Sequence, residues 1–470
     1  MNLGDLFKSR EEFDLTEGDV GLPLFYLSLP IVVTNLLQTA YNLADTFWIG
    51  QYSTEALAAI SFAFPMVFLI ISLGMGLAVA GSILVAQYTG ADKQGEAEYA
   101  ASQTVGFAAV VSVVVGAVAY VFVGDVLALL GPEPDVLPLA TGYMEIISLG
   151  IFFMFGFLVF VSLMRGYGDT VTPMLVMFGS VALNVVLDPF LIFGWWWFPQ
   201  WGIEGAAIAT VFSRGLALVV GLWIMFTGRR GVRIRLRDVV PDLQYGRRLL
   251  RIGVPASVEG TGQAVAINLL MFIVGTFATP VVAAFGIGVR VFSVIFLPAI
   301  AVARGVETMS GQNIGAGKPD RAALTARVAA RTTFVVLAAA GVVTWVFADP
   351  IVALFTDDTQ VIEVGATFLR YVAPSFGFIG IMRSYNGGFR GAGKTLTAAA
   401  IAVTMLGAVR LPIAWFASQV LGPPGIWVSF LISNVVGAVI AYVWFRRGTW
   451  RTTEPRGPAV TDVADDPADD

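Results

Sequence analysis

Cysteine and histidine are both absent from the 470 residues of this chain. Without them the protein can form no disulfide, no thiolate nucleophile, no histidine-based acid/base pair and none of the usual zinc or haem ligand sets. Carboxylates, amides and hydroxyls are the groups left for chemistry, and no catalytic motif stands out among them. We therefore expect no enzyme, no cofactor and no resident metal.

Charge is also scarce. Asp, Glu, Lys and Arg make up only 13% of the chain, against about 25% in soluble globular proteins, and the mean hydropathy is +0.79. Apolar stretches of about 20 residues recur, and each could cross a hydrocarbon core of roughly 30 Å as a helix. The segment before the first apolar stretch is acidic and lacks a basic n-region, so we expect no signal peptide and a retained first helix.

Lysine is rare as well, with four among the 28 basic residues, and the last residues, TEPRGPAVTDVADDPADD, are acidic. Acid-rich, lysine-poor chains are typical of proteins from high-salt cytoplasms, which favours a haloarchaeal source. An ordinary prokaryotic protein with an acidic tail is the alternative.

Twelve apolar windows bounded by Gly, Pro and charge predict twelve membrane spans. The windows are 22–49, 55–85, 99–123, 137–162, 171–194, 203–227, 251–277, 280–310, 322–348, 360–388, 396–418 and 424–446. The links after the odd-numbered spans contain no Lys or Arg, whereas the other links and both ends of the chain do. The positive-inside rule therefore predicts a multi-pass protein of the cell membrane with both termini in the cytoplasm.

Five segments follow from these windows. They are a cytoplasmic N-terminal segment (1–21), an N-lobe of helices 1–6 (22–227), a basic cytoplasmic linker (228–250), a C-lobe of helices 7–12 (251–446) and an acidic disordered tail (447–470). Beside two membrane spans, the basic linker is expected to lie on anionic lipid headgroups, and we expect no nucleic acid as a partner.

The two lobes repeat each other at a constant offset, at which Gln87 corresponds to Gln312 and Arg165 to Arg390. The match is clearest between AQYTGADK and GQNIGAGK and between RGYGDT and RGAGKT. An even number of spans in each repeat means that the repeats run in the same direction. The predicted fold is thus an all-α membrane protein with twelve transmembrane helices in two pseudo-symmetric six-helix lobes. Such bundles typically place a substrate path between the lobes, although a duplicated scaffold without transport is an alternative.

Acidic residues distinguish the lobes. Asp45 and Asp188 lie within apolar spans of the first lobe, and their counterparts at the offset are Leu270 and Ile413. Counted from the ends of their helices at about 1.5 Å per residue, both reach the outer half of the membrane. Asn184 lies one turn from Asp188, and Thr210 on span 6 falls at the same depth.

These four residues suit a hard monovalent cation, because carboxylate, amide and hydroxyl oxygens are flexible ligands. They also suit a proton, because two carboxylates in a poorly solvated cavity cannot both be ionised cheaply. The site is therefore predicted to bind Na⁺ or H⁺, with no other metal. Alternatively, Asp188 merely caps a helix break before Pro189, and the carboxylate of Asp45 is solvated by water at the outer end of its span.

Further polar positions are weaker candidates. Gln38, Tyr41 and Asn42 share a helical stripe with Asp45 and are expected to line a substrate cavity, although Tyr and Asn are also common interface anchors. The prolines that break helix hydrogen bonding in spans 1 and 7 are predicted bend points: Pro30 and Pro255.

The second lobe also carries ionisable residues within its spans. Most of them are expected to form structural ion pairs: Arg290, Arg304, Glu307, Arg383 and Arg410. Glu259 stands alone near Pro255 in the sequence, and it is a secondary candidate for ion binding.

Several segments resemble the multidrug and toxic compound extrusion (MATE) family, in family order over residues 14–446. They are DLTEG, LSLPIVVTNLLQTAYNLADTFWIG, ALAAISFAFP, AQYTGAD, RGYGDTVTP, LNVVLDPFLIFG, GIEGAAIAT and RGAGKT. The first-lobe acids place the chain nearer the DinF-like branch than the NorM branch. By motif, that branch's cation site falls on Asp45, Asn184, Asp188 and Thr210. Of the second-lobe acids that the NorM branch uses, Glu259 matches one, but Ile379 occupies the place of the other.

The resemblance implies a V-shaped pair of lobes that exports amphipathic, often cationic compounds in exchange for inward Na⁺ or H⁺. The expected partners are a small-molecule substrate and membrane lipids, with the protein a monomer. A flippase for a lipid-linked precursor, in the same wider superfamily, should have a basic central cavity, which the acids oppose. An ion channel should have a pore lined equally by both lobes.

Overall fold

The computed structural model describes residues 12–451, and helices are the only regular secondary structure in that range. Twelve helices are long and apolar enough to cross a membrane, in agreement with the predicted number and fold class. They are α1 (Gly21–Tyr52), α2 (Thr54–Gly90), α3 (Gln94–Leu129), α4 (Val136–Tyr167), α5 (Val171–Phe193), α6 (Gly202–Thr227), α7 (Leu243–Val274), α8 (Thr279–Gly315), α9 (Pro319–Val346), α10 (Thr359–Gly391), α11 (Thr395–Leu421) and α12 (Pro423–Arg446). Most of the predicted acidic tail, from residue 452 onward, lies outside the described residues.

Most helices extend beyond their apolar windows, because polar residues complete the turns at their ends. The largest difference is at α7, which begins at Leu243, whereas the linker was predicted to run to residue 250. Asp242 caps this helix by accepting a hydrogen bond from the backbone N–H of Gln244 (2.8 Å). The basic residues 247 and 248 are therefore helical, and the Arg248 guanidinium donates to the hydroxyl of Tyr88 on α2 (2.6 Å).

The linker between α6 and α7 is held against α3. The Gln103 side chain donates to the carbonyls of Asp238 (2.7 Å) and Val240 (2.9 Å) and accepts from the N–H of Asp242 (2.8 Å). The Ser102 hydroxyl accepts from the N–H of Arg235 (3.0 Å). These bonds satisfy backbone groups of an otherwise irregular segment, so the linker is a fixed part of the first half (α1–α6).

Within each half the central helices pack closely. In the first half α4 packs against α2, α3 and α6, and α5 against α1 and α6. In the second half (α7–α12), α10 packs against α8, α9 and α12. Both halves bury small residues where these helices cross, which lets the backbones approach closely.

The halves meet near the ends of α2 and α8, which is the end of the bundle that carries the linker. The Gln87 side chain on α2 donates to the carbonyl of Gly391 (2.9 Å), and Gln312 on α8 donates to the carbonyl of Gly166 (3.1 Å). The two hydrogen bonds correspond to each other at the offset of the repeat, so the repeat produces a reciprocal contact. We call this contact the linker-end clasp.

The segment before α1 crosses between the halves. Asn313 on α8 donates to the carbonyl of Leu15 (2.9 Å), and Arg321 on α9 donates to the carbonyls of Glu17 (2.6 Å) and Gly18 (2.7 Å). Residues 15–18 therefore bind to the second half, although they lead directly into the first helix of the other half.

Two helices change their winding in the second half. A short 3₁₀ segment, Ala373–Ser375, interrupts α10, and a π-helical turn, Thr404–Arg410, interrupts α11. Each lies at or just before a proline, Pro374 and Pro412, where regular α-helical hydrogen bonding cannot continue. Pro30 and Pro255 lie inside continuous helices, and their role as bend points stays a prediction.

Candidate functional site

The four predicted ion ligands lie on three helices that pack together. Helix α1 carries Asp45, α5 carries Asn184 and Asp188, and α6 carries Thr210. Because α5 packs against both α1 and α6, the four residues share one buried region, and each is at most 3% exposed. The carboxylates of Asp45 and Asp188 are close enough to interact electrostatically.

The polar side-chain atoms of these four residues form few hydrogen bonds. Asn184 donates to Oδ1 of Asp188 (3.2 Å) within α5, and the hydroxyls of Tyr41 and Thr210 bond to each other (2.7 Å) between α1 and α6. Tyr41 is buried and lies beside the candidate ion ligands, and its role in lining a substrate cavity stays a prediction.

Several oxygens in the group lack a hydrogen-bond partner within residues 12–451. They are Oδ1 of Asp45, Oδ1 of Asn184, Oδ2 of Asp188 and the hydroxyl of Ser213, one turn along α6 from Thr210. Buried polar atoms are almost always hydrogen-bonded, and an unsatisfied one costs free energy. Oxygens of this kind from three helices form a set that a cation, a proton or water can satisfy.

Arg214 is a member of the neighbourhood that the sequence analysis missed. Its guanidinium is buried on α6, donates to Oε1 of Gln38 (2.9 Å) and lies over the ring of Tyr41, 5.2 Å from the centroid. Gln38 also donates to Oδ1 of Asn42 (3.1 Å). The predicted cavity residues Gln38 and Asn42 therefore lie beside a buried positive charge, and Tyr41 links that charge to Thr210.

Tyr143 on α4 is a second residue that was missed. It is buried, and its hydroxyl lies within electrostatic range of both carboxylates. Neither Tyr143 nor Arg214 could be found from helix spacing on α1 or α5, because each reaches the site from another helix. Their position inside an apolar span is the only sequence signal they offer.

Glu259 is not isolated, and that part of the sequence interpretation was wrong. Its two carboxylate oxygens accept hydrogen bonds from NH1 of Arg390 (3.0 Å each), and Nε of Arg390 lies 3.1 Å from Glu307. Arg304 lies 2.9 Å from the same Glu307 oxygen. A second acid therefore lies near Glu259, but the arginines neutralise both.

Further arginines leave the second half with excess positive charge. Arg383 contacts Gln263 at 3.5 Å, and its Nε has no hydrogen-bond partner among the described residues. Arg410 donates to Ser433 (2.9 Å) and Asn434 (2.7 Å) and lies over the ring of Phe430. No acidic residue in the described part of the chain pairs with either. Among the described residues, the first half thus holds two acids without an ion pair, Asp45 and Asp188, beside Arg214, whereas the second half holds arginines without an ion pair.

These features define a multi-pass membrane transporter with twelve helices in two related halves. The MatE family model matches residues 30–190 and again residues 255–416. The two matches begin at Pro30 and Pro255, which correspond to each other in the repeat. The chain belongs to the MATE family.

Curated relatives match over nearly the whole length. The chain is 29% identical to "Probable multidrug resistance protein YpnP" of Bacillus subtilis over 93% of this chain and 98% of that protein. It is 27% identical to the "FAD transporter" of Shewanella oneidensis over 93% of this chain and 97% of that protein.

Solved structures share the fold at lower identity. One described as the "Outward-facing conformation of a multidrug resistance MATE family transporter of the MOP superfamily" has a TM-score of 0.87 at 24% identity. The match covers 95% of this chain and 100% of that one.

Proposed function

We propose that this protein is a secondary active exporter of amphipathic, often cationic compounds, driven by inward Na⁺ or H⁺ bound in the first half. The observation that carries the proposal is the convergence of two buried carboxylates, Asp45 and Asp188, where three helices contribute oxygens that have no hydrogen-bond partner in the described part of the chain. One cation or proton there reduces the repulsion between the two carboxylates, which is large in a poorly solvated interior.

Coupling follows if substrate and ion compete for the same negative charge. The working units are the N-lobe (22–227) and the C-lobe (251–446), which rock against each other so that the linker-end clasp closes and opens and the ion site faces each side of the membrane in turn. In this proposal the protein is a monomer of the cell membrane with both termini in the cytoplasm. It belongs to the DinF-like branch and has a haloarchaeal source.

The test is efflux from proteoliposomes in which a Na⁺ gradient and a pH gradient are imposed separately. A cationic amphipathic dye is the substrate, and the proteins are wild type, Asp45→Asn and Asp188→Asn, with the exposed Asp125→Asn on α3 as the matched control. Wild type and the control should move the dye under at least one gradient, and the two site variants under neither. Full transport by both site variants at equal protein levels would refute the proposed site.

The arginine excess of the second half favours one second candidate, a flippase for a lipid-linked precursor. Such a substrate carries phosphate, and Arg383 and Arg410 offer positive charge that no acidic residue within residues 12–451 pairs with. The relative from Shewanella oneidensis lends this candidate support, because its name gives FAD, a phosphate-bearing compound, as its cargo.

The same proteoliposomes distinguish the candidates. Gradient-driven movement of a cationic dye that FAD does not inhibit supports the exporter of cationic compounds. Movement of a fluorescent lipid-linked phosphate without any ion gradient, lost in Arg383→Gln but kept in Asp45→Asn, supports the flippase.

A further inference from the structure

A crevice opens on the outer surface of the second half, between α9, α10 and α12. Its volume is about 420 Å³, and much of its wall is apolar, with Phe334, Phe378 and Ile381 among the lining side chains. Val335 and Val336, beside it on α9, are exposed. Exposed valines on a membrane-spanning helix face lipid, so the crevice opens towards the hydrocarbon.

Two arginines line this apolar crevice. Arg327 and Arg331 are one turn apart on α9, and both are exposed. Arg327 donates only to the carbonyl of Ala323 in its own helix (3.3 Å), and neither arginine forms an ion pair within residues 12–451. At 1.5 Å per residue they lie roughly 12 and 18 Å from the start of α9. Charges facing lipid at such depth are costly unless they find a partner.

More donors lie around them. Tyr385 on α10 and Tyr442 on α12 line the crevice, and Arg446 at the end of α12 donates to the Tyr442 hydroxyl (3.4 Å). The crevice therefore combines two positive charges, two phenol groups and apolar walls, with a third arginine bonded to one of the phenols.

The equivalent crevice of the first half is different. It lies between α3, α4 and α6, has a volume of only about 40 Å³ and is lined by apolar side chains. At the offset of the repeat, Ser102 and Gly106 take the places of Arg327 and Arg331. The linker covers them: Ser102 accepts from the N–H of Arg235, and a Cβ on Gly106 would lie 1.9 Å from the carbonyl oxygen of Val239.

We propose that the crevice of the second half binds one anionic phospholipid from the leaflet at the linker end. The guanidinium groups of Arg327 and Arg331 hold the phosphate, because arginine recognises phosphate with paired N–H donors. The hydroxyl of Tyr385 donates to headgroup oxygens, and an acyl chain lies along Phe334 and Phe378. Basic pockets between transmembrane helices bind anionic headgroups in this way. A lipid fits better than a soluble anion, because only a lipid can use the apolar wall.

The test is native mass spectrometry of the full-length protein, delipidated and then titrated with phosphatidylglycerol or with phosphatidylcholine of the same acyl chains. The proteins are wild type, the double variant Arg327→Gln/Arg331→Gln, and the control Arg290→Gln/Arg370→Gln, two arginines on α8 and α10 that do not line the crevice. Wild type and the control should bind one phosphatidylglycerol in preference to phosphatidylcholine. The double variant should bind it roughly 30-fold more weakly, the effect of two basic residues at an anionic surface.

Equal phosphatidylglycerol binding by all three proteins would overturn the proposal. Inorganic phosphate that displaces the lipid at millimolar concentration would show a phosphate site instead of a lipid site. The acidic residues of segment 452–470 are a third possible occupant, so the titration includes a full-length variant with Asp462, Asp465, Asp466, Asp469 and Asp470 changed to Asn. Lipid binding that appears only in this variant would assign the crevice to the chain's own tail and overturn the lipid proposal.

Discussion

At the residue scale, depth in the membrane located the candidate ion site from sequence alone. Asp45, Asp188 and Thr210 fall at one level when residues are counted from helix ends, and the structure brings them into one buried region. Counting residues from a helix end gives the depth of a side chain in the membrane, but it does not give the direction in which the side chain points around the helix axis. It could not show that Tyr41 points to Thr210, or that Arg214 reaches Gln38 from α6.

The pairing of Glu259 with Arg390 shows the limit of the same method. The two residues are 131 positions apart in the chain, and only the placement of α7 relative to α10 in the fold decides whether they meet. A lone acid in one helix therefore cannot be assigned to ion binding or to an ion pair until the opposite helix is placed.

We predict that Arg390→Gln destabilises the protein by about 3–5 kcal/mol, the usual cost of removing one partner from a buried ion pair. The reason is that Glu259 and Glu307 would both lose a buried partner. Glu259→Gln should cost less, because Arg390 keeps Glu307. Denaturant unfolding in detergent measures both.

The control is Arg370→Gln, which removes a half-exposed pair with Asp349 and should change stability by less than about 1 kcal/mol. A cost for Arg390→Gln no larger than that of the control would show that the buried network is not structural.

At the element scale, the sequence predicted every membrane helix but not the ends or the irregular turns. Hydropathy marks the part of a helix that lies in hydrocarbon, whereas α7 begins outside it, at Leu243. The π-helical turn at Thr404–Arg410 leaves no hydropathy signal. The docking of the linker on α3 depends on Gln103, a polar residue with no local pattern to predict its partners.

The orientation of the helices is a prediction that cysteine labelling can test, since the chain has no native cysteine. Glu133, before α4, and Asp357, before α10, are exposed, as is Arg229 in the linker. Single cysteines at Glu133 and Asp357 should react with a membrane-impermeant maleimide added to intact cells. A cysteine at Arg229 should react only after permeabilisation, and the reverse pattern would invert the proposed topology.

At the scale of the whole molecule, two glycines allow the linker-end clasp to close. A Cβ on Gly90 would lie 1.9 Å from the carbonyl oxygen of Gln312, and one on Gly315 would lie 1.8 Å from that of Gln87. Real Cβ atoms do not approach backbone that closely, so the ends of α2 and α8 must separate if either residue gains a side chain.

We therefore predict that Gly90→Ala and Gly315→Ala weaken the clasp and shift the population towards separation at the linker end. Spin labels at Ala91 and Ala316, which follow α2 and α8, should report longer distances in both variants. Gly95→Ala is the control, because nothing lies within 4 Å of a Cβ at that position. An unchanged distance distribution in both variants would mean that the halves do not separate there.

The central claim is that substrate and ion compete for the charge of Asp45 and Asp188. If so, binding is reciprocal: the ion lowers the affinity for substrate by the factor by which substrate lowers the affinity for the ion. Asp45→Asn should remove this antagonism, whereas Glu259→Gln should keep it, because Arg390 and Arg304 neutralise the acids of the second half.

The most direct measurement is the binding of a cationic dye to purified protein across titrations of Na⁺ and of pH, for wild type, Asp45→Asn and Glu259→Gln. We expect dye affinity to fall as Na⁺ or H⁺ rises in wild type and in Glu259→Gln, and to be insensitive to both in Asp45→Asn. Antagonism that survives in Asp45→Asn but disappears in Glu259→Gln would place the coupling site in the second half and contradict the account.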